Sequence, residues 1–214
     1  MKFPERLPKG VALLVPFRDP EVWNVMEEFY HKYFNDSGKR TLVLGINPGR
    51  LGAGATGINF TAPLQLEQYC GIRHPLGKQT ELSAAYIYES IQAYGGVKPF
   101  YKKYFIGAVC PLGFTSKGVN VNYYDQPRLQ EVVTPFIVES MERLLGYGFN
   151  RARCICIGEG KNLKFLQQLN QQQGWFQEIR SLPHPRFIMQ YKRKLKATYL
   201  QQYVSLFRET DALR

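Results

Sequence analysis

The stretch Thr41–Phe60 constrains the fold more than any other part of the sequence, because an apolar run ends abruptly in a glycine-rich segment. Residues 41–44 show no alternation of polar and apolar side chains, which is typical of a strand buried on both faces of a parallel sheet. Asn47-Pro48-Gly49 must end this strand, since proline cannot donate to the hydrogen-bond ladder. In open α/β sheets, ligands bind beyond the carboxyl ends of the strands. Asn47 therefore stands at the predicted chemical centre.

The rest of the chain alternates strands with helices. Apolar runs predict further strands over residues 104–110, 152–157 and 177–182. Helical periodicity predicts helices over residues 21–34, 81–94, 128–145 and 162–173, and a basic terminal helix that ends near Arg208. Ser83 is a candidate N-cap, and residues 61–79 and 115–127 are predicted loops. Residues 1–20 form a proline-punctuated lead-in around the apolar run Val11–Val15.

This alternation predicts an α/β fold of three layers, in which a central, mostly parallel four-stranded sheet is flanked by helices. A chain of 214 residues is long enough to bury a full core, and we expect one domain over residues 1–214. No apolar run approaches the ~18 residues of a membrane span, which predicts a protein with no membrane partner. A monomer is the expected state.

The charge of the chain is strongly positive. Lys and Arg total 28 against 17 Asp and Glu, which gives a formal net charge of +11. Such a balance favours a polyanionic partner, although a solvated basic surface produces the same composition. Charge alone therefore leaves nucleic acid as one of two interpretations.

The cysteines indicate neither a metal site nor a disulfide framework. Cys70, Cys110, Cys154 and Cys156 match no zinc or iron–sulfur spacing, and the last three lie in strand-like apolar runs. Buried, reduced thiols are typical of a cytoplasmic protein. We therefore expect no metal and a cytoplasmic location.

Polar residues follow three of the predicted strands. Asn47 follows the first, Asn120 lies beyond the second, and His184 follows the last. Because parallel strands share one carboxyl edge, these residues are expected to meet in one crevice. Considered one at a time, each residue also has a purely structural interpretation. Asparagine before proline commonly makes a turn, and a histidine between prolines can cap a loop.

A glycine pattern at residues 52–57 fits G-x-G-x-x-G, the fingerprint of dinucleotide-binding folds. In that fingerprint the glycines follow the strand at once and open a helix. Here five residues intervene, and Asn59, Thr61 and Pro63 oppose a continuing helix. No nucleotide cofactor is expected.

Four motifs occur in the order found in a known family. They are residues 45–49 with 56–60, residues 109–112 with 118–120, residues 155–158, and residues 182–186. Together they resemble the single-strand-selective monofunctional uracil-DNA glycosylases, over roughly residues 40–200. Arg50, Ala53 and Asn59 differ from the best-known members, so the sequence is more similar to a divergent bacterial branch.

The resemblance implies a uracil-DNA glycosylase fold and a role for each motif residue. Asn47 would position the water that attacks C1′ of the deoxyribose, and His184 would donate to uracil O2. Phe60 would stack on the flipped base, and Asn120 would bind its edge. The remaining base-pocket residues implied are Ile46, Gly49 and Gly52. No lysine occupies a motif position that would form a Schiff base, so lyase chemistry is not expected.

The segment after His184 is where the family inserts a wedge into DNA. The wedge positions hold Arg186, Phe187, Ile188 and Met189, and the phosphate-contact positions hold Lys192, Arg193 and Lys194. The implied partner is uracil-containing DNA, single- or double-stranded. Two other hypotheses remain open: a glycosylase for deaminated purines such as hypoxanthine or xanthine, and a basic nucleic-acid-binding module without catalysis.

Overall fold

The computed structural model describes Pro4 and residues 6–212, and at its centre lies a parallel sheet. The strand order is β3-β2-β6-β7, and every neighbouring pair is parallel. The strands are β2 (Thr41–Gly45), β3 (Tyr104–Ala108), β6 (Asn150–Ile157) and β7 (Glu178–Leu182). The predicted four-stranded parallel sheet is therefore confirmed. The order reverses at β2, so a crevice opens at the carboxyl end of this strand.

The side chains of the central strands alternate between two cores. Val43, Ile155 and Ile157 face one core, whereas Leu42, Leu44 and Cys156 face the other. A strand places successive side chains on opposite faces, so a continuous apolar run is what two covered faces require. This alternation confirms the predicted three layers.

Helices cover both faces of this sheet. The first core is packed by α1 (Pro20–Phe34), α3 (Pro63–Cys70), α4 (Leu82–Tyr94), α5 (Val97–Lys103), α8 (Pro185–Tyr191) and α9 (Lys196–Asp211). The second core is packed by α6 (Pro127–Gly146) and α7 (Lys161–Gln173). A single turn, α2 (Ala53–Thr56), lies in the glycine-rich segment after β2. Among the described residues, no helix is both long and apolar enough to cross a bilayer.

A second sheet is present, and part of it lies in the predicted loop over residues 115–127. The strands β1 (Val11–Leu14), β4 (Gly113–Ser116) and β5 (Val119–Val121) pair antiparallel in the order β1-β4-β5. Lys117 and Gly118 join β4 to β5, with φ of 49° and 75°. Positive φ at both turn residues suits the right-handed twist of a hairpin. The prediction of a loop over residues 115–127 is wrong where β4 and β5 lie, since both strands are short and carry polar residues, and it holds for residues 122–126.

Three further sequence expectations are corrected. The predicted loop over residues 61–79 contains α3, whose first residue is Pro63, a position where helices tolerate proline. Helix α4 is capped at Glu81, without a side-chain hydrogen bond, rather than at Ser83. The basic terminal helix is interrupted at Lys192, where α8 ends before a short 3₁₀ turn and α9.

The entry to β2 is held by a buried arginine. The Arg40 side chain, only 5% exposed, donates to the carbonyl oxygens of Tyr101 at 2.7 Å and Tyr33 at 3.0 Å. It also pairs with Asp36 at 2.8 Å. These bonds connect α1 and α5 to the start of the central strand.

We predict that Arg40→Ala lowers the free energy of unfolding by about 2–4 kcal/mol, since buried carbonyl acceptors would lose their donor. Urea denaturation followed by circular dichroism measures this change. Arg128→Ala is the matched control, because the Arg128–Glu131 pair is exposed on both sides and should contribute under ~1 kcal/mol. Equal losses in both variants would contradict the anchoring role of Arg40.

Candidate active site

A cavity of about 290 Å³ opens at the carboxyl end of β2. Six of the seven residues predicted for catalysis and base binding lie on its wall: Ile46, Asn47, Gly49, Phe60, Asn120 and His184. Four separate chain segments contribute them, namely the β2 end, the glycine-rich segment, the β4–β5 hairpin and the β7 end. The expected meeting of three strand ends in one crevice is therefore present in the structure.

The carboxamide of Asn47 is held in one orientation by backbone groups. Its Nδ2 donates to the carbonyl oxygens of Pro48 and Val121, both at 3.3 Å. Its Oδ1 accepts from the N–H of Tyr123 at 3.2 Å. A carbonyl oxygen has two lone pairs, so Oδ1 retains capacity to accept from one further donor, such as a water. The side chain is pre-oriented before any ligand binds.

Phe60 lies on the cavity wall in a strained backbone conformation. Its φ is 52°, a left-handed value that few non-glycine residues adopt. Its ring packs over Gly45, where a Cβ would overlap the ring. The same ring lies 5.8 Å from that of His184, centroid to centroid. Gly45 thus leaves room for an aromatic wall beside the histidine.

His184 is the N-cap of α8, and this role determines its tautomer. Its Nδ1 accepts from the backbone N–H of Arg186 at 3.2 Å, so the ring proton of the neutral form is on Nε2. Desolvation, together with the smaller effect of the positive charge of Arg186, lowers the pKa of His184 to about 4. At neutral pH the side chain is an uncharged hydrogen-bond donor.

Asn120 lies on the rim of the cavity, on β5. Its Oδ1 accepts from the backbone N–H of Arg50 at 3.0 Å, which ties the hairpin to the turn after β2. Its Nδ2 lies 3.3 Å from the point where a Cβ on Gly49 would stand. The donor end of the amide is therefore directed to the Gly49 side of the cavity.

Glu81 lies on the same wall and is not among the site residues predicted from the sequence. Its Oε1 is 3.4 Å from the same Cβ point of Gly49. No described residue donates a side-chain hydrogen bond or forms an ion pair with this carboxyl group. Burial raises its pKa, against the opposing charge of Arg186. An acidic residue at a helix start carries no pattern that distinguishes it from an ordinary capping residue, so the sequence held no signal for it.

Gly52 is the one predicted base-binding residue that is not on the cavity wall. It lies behind Glu81, and a Cβ at this position would overlap the Glu81 carboxylate. The prediction that Gly52 contacts the base is therefore corrected: Gly52 makes room for Glu81, which does face the cavity.

The predicted wedge segment divides into exposed and buried positions. Arg186 and Phe187 line the cavity, and the Phe187 ring, 43% exposed, packs 5.8 Å from that of Tyr191. Ile188 is wholly buried and Met189 packs against the first core. The prediction that Ile188 contacts DNA is wrong, because α8 turns it into the core, whereas contact of the partly exposed Met189 with DNA stays a prediction.

The predicted phosphate-contact residues lie just beyond the cavity. Lys192, Arg193 and Lys194 are exposed between α8 and α9 and do not line it. Across Pro4 and residues 6–212, no group of three or more metal-ligating side chains is placed to hold an ion.

A family model and a solved structure both match this chain. The sequence model of the uracil DNA glycosylase superfamily matches residues 31–208. The crystal structure of wild-type SMUG2 from Pedobacter heparinus is similar, with 44% sequence identity and a TM-score of 0.94, over 99% of this chain and 93% of that one. A search of curated proteins found no match.

We predict that the His184 ring titrates near pH 4, and proton NMR of the imidazole signals measures this. The chain has three histidines, so the signal lost in His184→Ala identifies it. The unfolded chain titrates near 6.5 and therefore binds more protons between about pH 6.5 and 4. This group thus makes the native state less stable as pH falls through that window. The variant His184→Ala should lose the part of the pH dependence of the unfolding free energy that comes from this group. Titration of the folded ring near 6.5 would contradict the prediction.

Proposed function

This chain belongs to the uracil DNA glycosylase superfamily and is a hydrolase of N-glycosidic bonds in DNA, and we propose that Asn47 and His184 carry out its excision of uracil. One observation carries the proposal: a fixed carboxamide and a neutral imidazole donor lie on one cavity, beside an aromatic ring. These groups are what the departure of a base and the attack of water require.

Departure of the base leaves the electrons of the C1′–N1 bond on uracil, so negative charge grows on O2. His184 Nε2–H donates to that oxygen, and being uncharged it needs no ionised partner in a desolvated wall. The sugar becomes oxocarbenium-like and reacts with a weak nucleophile. Asn47 Oδ1 accepts from the water and directs its oxygen to C1′, and the released proton passes to solvent or to the departing base. Positioning, rather than strong base catalysis, supplies the rate.

The walls of the cavity support monofunctional chemistry. No lysine lies among the described residues that line it, and a Schiff base with C1′ would need such an amine. We therefore propose that the product is an abasic site with an intact strand.

The base would be recognised by two side chains. Since Asn120 Oδ1 already accepts from Arg50, the amide offers its Nδ2–H to uracil O4. The carboxyl group of Glu81 faces the same side and supplies an acceptor for N3–H. Phe60 stacks on the ring. Cytosine presents the opposite pattern at these positions and would leave buried polar groups unpaired.

The DNA strand is proposed to cross the basic surface around the cavity. Arg186 lies at its edge, and Lys192, Arg193 and Lys194 are exposed beyond it. A base in a duplex must be flipped out, whereas a single strand presents it directly, and we propose that both serve as substrates. The enzyme is proposed to act as a monomer in the cytoplasm, where its four free thiols stay reduced.

We predict that Asn47→Ala and His184→Ala each lower single-turnover excision by about 10²–10³. The substrate is a labelled single-stranded oligonucleotide with one uracil, cleaved at abasic sites by hot alkali and resolved on a denaturing gel. Asn35→Ala and His31→Ala are matched controls, since this pair is exposed at the C-terminal end of α1, away from the cavity. Both active-site variants should still bind DNA.

Full activity in His184→Ala would contradict the assigned role. Absence of cleavage by the wild type, with DNA binding retained, would contradict the assignment of uracil as the substrate. The next substrates to test would then be oligonucleotides that contain hypoxanthine or xanthine.

We predict that Glu81→Ala lowers kcat/KM for uracil excision about tenfold, because N3–H would lose its acceptor. Glu81→Gln should retain more activity than Glu81→Ala, since its amide oxygen can still accept. Glu67→Ala, exposed on α3, is the control for removal of a carboxylate. Wild-type activity in Glu81→Ala, with an unchanged melting temperature, would exclude contact with the base.

A further inference from the structure

A second cavity of about 360 Å³ adjoins the first. The two cavities share a wall formed by Glu81, Ser83, Asn120, Arg186 and Gln190. We propose that this second cavity, the flanking groove, binds the nucleobase next to the excised uracil in the same DNA strand. The inference rests on the proposed function and adds a binding site to it.

The floor of the flanking groove carries exposed apolar side chains. Leu51, Leu82 and Val119 are 41%, 46% and 67% exposed, and all three line it. They come from separate segments: the turn after β2, the start of α4 and the β4–β5 hairpin. Single exposed apolar residues need no explanation, but three that converge on one concave surface mark an interaction site.

The edges of the groove are cationic. Arg50 and Arg186 both line it, and Lys117 is exposed at the tip of the adjoining hairpin. The one carboxylate that lines it, Glu81, lies on the shared wall. An apolar floor with basic edges fits a nucleotide, whose base has apolar faces and whose phosphate is anionic. We therefore infer that the phosphate passes by the arginines and the base lies on the floor.

The groove exists before a ligand binds. The Arg50 N–H bond to Asn120 Oδ1, at 3.0 Å, connects its two sides. The turn that carries Leu51 is closed by bonds from Gly52 N–H and Gly54 N–H to the Gly49 oxygen, at 3.2 and 2.8 Å. A preformed site binds without the cost of ordering its own loops.

The expected occupant is the base next to uracil in the DNA strand, because the flanking groove adjoins the base cavity. The flanking groove shares five wall residues with the base cavity, so it lies within reach of a nucleotide covalently joined to the flipped one. Ile188 is wholly buried and offers this base no contact. Leu51, Leu82 and Val119 supply the exposed apolar surface instead.

The test compares single-stranded oligonucleotides in which uracil has thymine on both sides, or an abasic tetrahydrofuran residue on its 5′ or its 3′ side. We expect wild-type kcat/KM to fall about tenfold for one of the two abasic neighbours, and the side that responds gives the strand polarity. In Leu82→Ser and Val119→Ser, this penalty should shrink to about threefold or less. Tyr147→Ser, which removes an 84% exposed ring beyond α6, should keep the full penalty.

Two outcomes would overturn the flanking groove: equal wild-type activity on all three oligonucleotides, or a penalty that both variants retain in full. Failure of the wild type to excise uracil from the intact oligonucleotide would instead overturn the proposed function. The two failures are therefore distinguishable. Since the substituted side chains are exposed, unchanged melting temperatures are expected and confirm that the variants fold.

Discussion

The active site depends on the hydrogen bonds that join the end of β2 to the β4–β5 hairpin. Asn47, after β2, bonds to backbone groups of Val121 and Tyr123. Asn120, on the hairpin, accepts from the backbone N–H of Arg50. An asparagine on each side is therefore held by the backbone of the other side. The parallel sheet alone presents only a strand end, and the hairpin alone presents only a polar turn. Their junction turns two ordinary asparagines into fixed donors and acceptors on one cavity.

The charged surface of the molecule contrasts with the desolvated titratable groups inside the cavity. The net charge of +11 resides largely on exposed side chains, where it attracts phosphates without the cost of burial. Inside the cavity, desolvation holds His184 neutral and favours the neutral form of Glu81. Arg186 lines the edge of the cavity, and its positive charge acts to lower the pKa of both His184 and Glu81. A neutral imidazole donor suits a reaction whose transition state brings its own charge into the site.

Helix α8 links the chemistry to the DNA surface. Its N-cap is His184, its exposed face carries Phe187 and Tyr191, and its opposite face anchors Ile188 in the core. The packing that positions the His184 ring therefore removes Ile188 from the proposed DNA side. The exposed apolar side chains of the flanking groove come from other segments, which lie far from His184 in the sequence.

Local chemistry in the sequence determined much of this protein. The unbroken apolar run before Asn47 and the Pro-His-Pro segment after β7 are readable because each pattern arises between neighbours in the chain. From them follow the parallel sheet, the strand ends and the choice of Asn47 and His184. Four ordered motifs identified the family, since their joint occurrence is specific where each alone is common.

Only the tertiary structure decided which side chains share a wall. Glu81 faces the cavity because Gly52 leaves space for it, and Ile188 leaves the DNA surface because α8 packs on the first core. The pairing of β1 with β4 likewise joins residues about a hundred positions apart. Such contacts depend on close packing between distant segments, and no periodicity within one segment encodes them.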